Sequence, residues 1–311
     1  MINKKILVIG SSNTDMVIKS LRIPQPGETI LGGTFFMNAG GKGANQAVAA
    51  ARLGGDVSFI AKTGNDIFGK QAVELFSSEG IDVSGIIVDA QYPSGVALIT
   101  VDANGENCIV VAPGANAALN IADIENAKEK IEEASIILMQ LETPVATIER
   151  IAEIASSTNS KVVLNPAPAA VLSDELLEKI SVITPNQKEA EMLTGIKIND
   201  KNTAMEAAKI LQEKGIDTVI ITMGSQGAFI FNNGESCLIE SIKVNAIDTT
   251  AAGDVFNGAL VVALANGKEI KTAVEFACKA AAISVTRLGA QASAPYLNEL
   301  LNAEVTNPTT R

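Results

Sequence analysis

The chain has no histidine and no tryptophan, and only two tyrosines and three cysteines among its 311 residues. Without an imidazole there is no Ser-His-Asp triad, no Cys-His pair and no His-based zinc site, which leaves a carboxylate as the expected proton acceptor of any catalytic site. Cys108, Cys237 and Cys278 are odd in number and far apart. They match neither a disulfide framework nor a zinc spacing, fit a reducing compartment, and read as packing residues. Apolar runs long enough to span a bilayer, about 18 residues or more, are also missing. The chain enters a strand pattern at once, with no signal-peptide cleavage site, so a cytoplasmic protein without a membrane partner is expected. A net charge of −11, from 24 basic and 35 acidic residues, opposes a nucleic-acid partner.

What is present is a chain rich enough in apolar residues, 47%, to bury a large core. Apolar runs at residues 5–9, 57–61, 136–141, 161–164, 182–184 and 218–222 read as central strands. Amphipathic or Ala-rich stretches at 43–53, 66–78, 121–132, 145–155 and 203–214 read as helices between them. This alternation predicts an α/β fold, a doubly wound, mostly parallel sheet flanked by helices, in a single domain over residues 1–311. Two regions break the alternation. Residues 16–23 with 29–37, turning at Pro24–Gly27, and 94–101 with 107–112, turning at Asp102–Gly105, read as β-hairpins. They predict a small sheet, from about 16–37 and 94–112, placed as a lid over the crevice of the main sheet. The second hairpin is apolar enough to predict pairing with another subunit, and the polar tail at 304–311 reads as frayed.

The chain is organised around Asp248-Thr249-Thr250-Ala251-Ala252-Gly253-Asp254, read as the turn between an extended run at 243–247 and a buried helix. Small residues there let an anion reach unpaired helical N–H groups; alternatively Asp248 or Thr249 caps the helix and Asp254 complements its dipole. Ligands of open α/β sheets bind at the carboxyl ends of strands. There stand Asn13 and Asp15, which serve a ligand or close an Asx-turn, and Glu142, ahead of the cap and first helical residue expected at Thr143 and Pro144. Gly40-Gly41-Lys42-Gly43-Ala44-Asn45-Gln46 either packs a helix closely or turns Lys42 and Asn45 toward a polyhydroxylated ligand. It lacks P-loop spacing, and Gly64–Lys70, which has it, is followed by Gln71 where a hydroxyl is needed. Asn186 and Glu189 are spaced as a capping box. Thr222-Met223-Gly224-Ser225-Gln226-Gly227 either cradles a phosphate or reverses the chain.

Together and in this order, these pieces resemble the ribokinase family of ATP-dependent sugar kinases, over residues from about 4 to 301. The resemblance implies transfer of the ATP γ-phosphoryl group to the 5-hydroxyl of D-ribose, with Mg2+ required. It implies a sugar site of Asn13, Thr14, Asp15, Gly41, Lys42, Gly43, Ala44, Asn45 and Glu142, and Asp254 as base beside an anion hole at Ala251, Ala252 and Gly253. ATP and magnesium would be served by Asn186, Glu189 and Thr222–Gly227. An activating K+ would sit near Asp248, Thr250, Ser284, Arg287, Gly289 and Ser293, a segment that otherwise reads as a helix end. It further implies a homodimer through the lid sheets. Gln187, Lys188 and Cys278 depart from residues common in relatives, which bears on magnesium and nucleotide handling.

Overall fold

The computed structural model describes residues 4–302; the tail at 304–311 lies outside them. Its strands are β1 (Ile6–Ile9), β2 (Asn13–Lys19), β3 (Thr34–Gly40), β4 (Val57–Gly64), β5 (Asp82–Asp89), β6 (Gly95–Val101), β7 (Asn107–Ala112), β8 (Ile136–Met139), β9 (Lys161–Leu164), β10 (Val182–Ile183), β11 (Thr218–Thr222), β12 (Ala228–Asn232) and β13 (Glu235–Ile239). Nine form one sheet in the order β13-β12-β11-β10-β9-β8-β1-β4-β5. It is parallel except for the antiparallel pairs β11–β12 and β12–β13. In β1, Ile6 and Val8 join one apolar layer while Leu7 and Ile9 join the other. Burial on both faces is why such strands read as unbroken apolar runs. β4 lies on one side of β1 and β8 on the other, which opens the crevice for a ligand at the carboxyl end of β1.

The second sheet has the order β3-β2-β6-β7. Both expected hairpins are present, but β2 starts already at Asn13, and residues 20–33 form a long irregular connection in place of a tight turn at Pro24–Gly27. One face of this sheet, the one opposite Asn13 and Asp15, is uncovered: Ile18, Phe35, Met37, Leu98 and Val110 share it and are exposed. Cys108 is exposed there too, so the reading of all three cysteines as packing residues fails for it.

Other differences have local causes. The helix expected at 121–132 divides into Ile121–Asn126 and Lys128–Glu133, because the backbone tightens at Ala127, whose N–H reaches Ile124 O. β5 and β13, at the two sheet edges, escaped the sequence reading; only half buried, they lack a continuous apolar run. The run at 243–247 is no strand but a loop. Val244 and Ala246 line a ligand-sized cavity while Ile247 is exposed, and periodicity cannot tell such a run from one buried in a sheet.

Candidate active site

Strands β1, β8, β9 and β10 deliver Gly10, Gln140, Asn165 and Thr184 to one edge of the main sheet. From β1 the chain passes through Ser11 and Ser12 straight into β2. Asn13 and Asp15 are therefore ladder residues on one face of the second sheet, not members of an Asx-turn, and Thr14 points to the other face. Asn116 anchors this entry: its Oδ1 accepts from Ser12 N, and its Nδ2 donates to Asn13 Oδ1 at 2.8 Å. The Asp15 carboxylate lies over Gly40, where a Cβ would come within 2.4 Å of it. Burial, then the nearby Glu142 and Asp254, push the Asp15 carboxyl up to about 6.

The glycine turn serves packing and cavity together. Gly41 has φ 88°, and a Cβ there would lie 2.8 Å from Asn13 N. Gly43 packs on Gly10 and Ser11, and Ala44 N donates to Ser11 O, so both hold the helix Lys42–Arg52 against the exit of β1. No residue of the turn caps that helix. Glu142 does so from a distance, accepting from Lys42 N at 3.0 Å and from Ser11 Oγ at 2.5 Å. The cap expected at Thr143 does not form: Pro144 holds the N-cap position of its helix, and Thr143 Oγ1 is buried without a partner. Lys42 is half-buried rather than freely exposed and lines the cavity. Burial pulls its ammonium down, but Asp254, Glu142 and Glu189 outweigh that and hold it above its ordinary value.

Asp254 is the centre. It lies in the first turn of the buried helix Ala252–Ala265, where Gly258 lets the backbone press against Gln46 O and Ala50 N. That close approach brings Asp254 Oδ2 within 2.9 Å of Asn45 Nδ2, and Oδ1 within 2.9 Å of Gln46 Nε2. Burial raises the Asp254 pKa, opposed by Lys42 and by the amides of Asn45 and Gln46.

The cap expected at Asp248 or Thr249 is absent. Ala251 occupies the N-cap position at φ 59°, and no side chain caps the helix. An alanine in the left-handed region costs about 1–2 kcal/mol, a strain that collects at functional sites. Val255 N donates to Ala251 O, so the amides of Gly253 and Asp254 precede the first i→i−4 bond. A Cβ on Gly253 would meet nothing within 4 Å. Here lies a cavity of about 180 Å³ lined by Lys42, Asn165, Asn186, Glu189, Ala251, Ala252, Gly253 and Asp254 among others.

A larger cavity of about 680 Å³ continues from it, sharing Asn186, Thr222, Thr249, Ala252 and Gly253. Gly224, Ser225 and Gly227 line its near part, with Gln187 and Lys188; Ile242, Val244, Phe256, Cys278 and Val285 make it apolar farther on. Burial and Glu275 push the Cys278 thiol up to about 12, so it presents an inert surface. Met223 belongs to the core, and Gln226 is exposed rather than lining the cavity. Asn186 and Glu189 do form the capping box. Both nevertheless face the first cavity, and burial raises the Glu189 carboxyl.

Past the anion end, Asp248 Oδ1 accepts from Thr250 N, and its Oδ2 accepts from Gly289 N at 2.9 Å. The loop before the helix is thereby tied to residues 285–289, with Asp248 N also donating to Val285 O. Ser284 and Ser293 hydroxyls donate to Ala281 O and Ala290 O, while the Arg287 guanidinium pairs with Glu299. The Arg287 side chain is therefore committed to Glu299 of the helix Leu297–Asn302, which leaves its backbone as the group that faces this loop. Sequence reasoning did not single out Ser11, Gln46, Asn116, Gln140 or Asn165; Gln46 carried a signal by its place in the glycine motif, and Ser11 by its place in the run Gly10–Asp15 at the exit of β1.

A parallel sheet whose carboxyl edge joins an acidic polar pocket, an uncapped helix N-terminus and an apolar cleft defines a phosphotransferase acting on a small polar substrate. Residues 3–297 match the family described as pfkB family carbohydrate kinase, and the chain belongs to that family. It is similar to the ribokinase of Haemophilus influenzae, at 48% identity over 96% of this chain and 97% of that protein. It is also similar to the deoxyribokinase of Salmonella typhi, at 36% identity over 94% and 96% of the two chains. Among solved structures, the Arabidopsis thaliana ribokinase complexed with ribose and ATP superposes with a TM-score of 0.92 at 30% identity, covering 96% of this chain and 98% of that one. The chain is thus a carbohydrate kinase whose near relatives include ribokinases.

Proposed function

We propose that this kinase transfers the γ-phosphoryl group of ATP to the 5-hydroxyl of D-ribose, giving D-ribose 5-phosphate and ADP. The observation that carries the proposal is the placement of a buried carboxylate, Asp254, in one cavity with the open amides of the uncapped helix. Asn13, Asp15, Gly41, Lys42, Asn45 and Glu142 would hold the sugar, the second sheet serving as lid. The hydroxyl oxygen forms its bond to phosphorus as the bond to the β-phosphate oxygen breaks; Asp254 takes the proton, and ADP leaves with the electron pair. The open amides of Gly253 and Asp254 would face the charge on the transferring group; Ala252 N already donates to Thr249 O. The nucleotide would lie along Thr222–Gly227, its base in the apolar part of the cleft. Among the described residues no cluster of three or more His, Cys, Asp or Glu could hold a metal unaided. The single carboxylate Glu189 beside Asn186 fits magnesium, which uses one or two carboxylates together with phosphate oxygens and water. Bound there, the ion would neutralise phosphate charge.

Ribose is favoured over 2-deoxyribose because Asn13 and Asp15 share one face and can bond vicinal hydroxyls; a missing hydroxyl would leave their polar groups unpaired. A coupled ADP-release assay should give kcat/KM for ribose higher on the order of 10²-fold or more. Comparable values for the two sugars would favour the deoxyribokinase reading, which the Salmonella typhi relative supports. The same assay carries a pH signature. Asp15 must be ionised to accept two hydroxyl protons, so the sugar KM should rise as pH falls through about 6 while the ATP KM stays level. A sugar KM flat down to pH 5 or so would remove Asp15 from the sugar site.

Asp248 and the carbonyls of the tied loops support a monovalent cation beside the anion hole. Potassium should raise kcat over sodium, which is smaller, and over an organic cation; equal rates in all three rule this out. The uncovered apolar face of the second sheet, with Leu98 58% and Val110 64% exposed, supports pairing with a second copy. Sedimentation at the monomer mass would contradict that pairing.

A further inference from the structure

Beside Asp254 lies a cluster of buried amides, Gln46, Gln140 and Asn165, of which Asn165 alone lines the cavity. Gln46 Nε2 donates to Asp254 Oδ1 at 2.9 Å and to Asn165 Oδ1 at 3.0 Å, while Gln46 Oε1 accepts from Gln140 Nε2 at 2.6 Å. Gln46 and Gln140 are wholly buried and line neither cavity. Asn165 is oriented in turn by its Nδ2, which donates to Thr184 O. Every hydrogen-bonding group of the Gln46 carboxamide is therefore used. Turning it over would set its oxygen against the oxygens of Asp254 and Asn165, and its NH2 against that of Gln140, so only one orientation is satisfied. Asn45, which holds the other carboxylate oxygen, is not locked: its Oδ1 is buried without a partner. Gln140 Oε1 is likewise buried without a partner, so Asp254 and Asn165 fix the orientation of Gln46, and Gln140 follows it. Gly10 belongs to the same construction, since a Cβ there would lie 2.1 Å from Gln140 Oε1.

We propose that Gln46 is the positioning residue of Asp254, its carboxamide oriented by Asn165 and held at its oxygen by Gln140, so that Asp254 presents one fixed edge of its carboxylate to the substrate hydroxyl. The inference rests on Asp254 being the proton acceptor. Gln46 touches no substrate, so its contribution falls on kcat and not on sugar binding. Its donated hydrogen bond also favours the ionised carboxylate in a site where burial opposes it.

The test is Gln46→Met, close in size and without a donor, measured for kcat against pH at saturating sugar and ATP, sugar KM and melting temperature. Expected is a lower kcat with its acidic limb displaced upward by about one to two pH units, as for the loss of one hydrogen bond to an ionised group, at unchanged sugar KM. A folded Gln46→Met with the parental kcat and acidic limb overturns the proposal. Should that variant fail to fold, Gln140→Met decides: it releases Gln46 Oε1 while leaving its N–H bonds, and must move the limb the same way by less. A parental profile in Gln140→Met then overturns the proposal equally. Asp254→Asn separates the two claims. If it retains kcat within about tenfold, the base assignment itself fails; if it is inactive while both glutamine variants keep the parental profile, only the positioning role fails.

Discussion

Asp254→Asn should lower kcat by about 10²–10⁴-fold, the usual size of general-base loss, while leaving folding and ATP affinity intact. At 1.36 kcal/mol per decade this is roughly 3–5.5 kcal/mol of barrier. Folding is expected to survive because burial already opposes the charge of Asp254, and asparagine carries none. With no histidine in the chain, no imidazole can replace it. If Asp254 served only the helix dipole, the change would cost about 0.3–1 kcal/mol of stability and spare kcat. Measuring kcat, ATP affinity and melting temperature on this one variant distinguishes the outcomes, and a kcat within about tenfold of the parent would discard the base assignment.

Gly258→Ala should be the next most damaging change. The added methyl would lie 2.8 Å from Ala49 Cβ, 2.8 Å from Gln46 O and 2.9 Å from Ala50 N, so the helices Ala252–Ala265 and Lys42–Arg52 must separate. Overpacking of this kind costs about 1–3 kcal/mol. The same movement draws Asp254 from Asn45 and Gln46, and a misplacement near 1 Å can cost about 10²-fold in rate. Loss of both melting temperature and kcat is therefore expected, with the ATP KM little changed. Gly253→Ala is the contrasting variant: its methyl meets no atom within 4 Å and should leave the melting temperature close to the parent's. A Gly258→Ala protein with parental stability and kcat would show that the helix contact does not set the position of Asp254.

Much of the architecture is legible locally. Lys161–Leu164 and Thr218–Thr222 appear as strands with the boundaries their apolar runs imply, since their centres, 162–164 and 219–221, are buried on both faces and hold no polar residue to interrupt the run. The edge strand Asp82–Asp89 does not, because a half-covered strand alternates weakly and resembles a loop. The residues 243–247 erred in the other direction: apolarity that lines a cleft has the same sequence signature as apolarity that lines a core.

The site divides along the same line. The missing histidine, the glycine turn at 40–43 and the small residues 251–253 are properties of the sequence itself. They determine that a carboxylate is the base to expect, and that backbone can approach a ligand closely. Whether the 248–254 turn capped its helix or left the N–H groups open was undecided until the backbone at Ala251 was seen at φ 59° with no side chain bonded across it. The partners of Asp254 stand 208 and 209 residues away, and Glu142 reaches the amide of Lys42 across 100. Hydrogen bonds over such separations follow from strand order and from how closely two helices pack. Those are cooperative outcomes of the whole core, and no local pattern of residues encodes them.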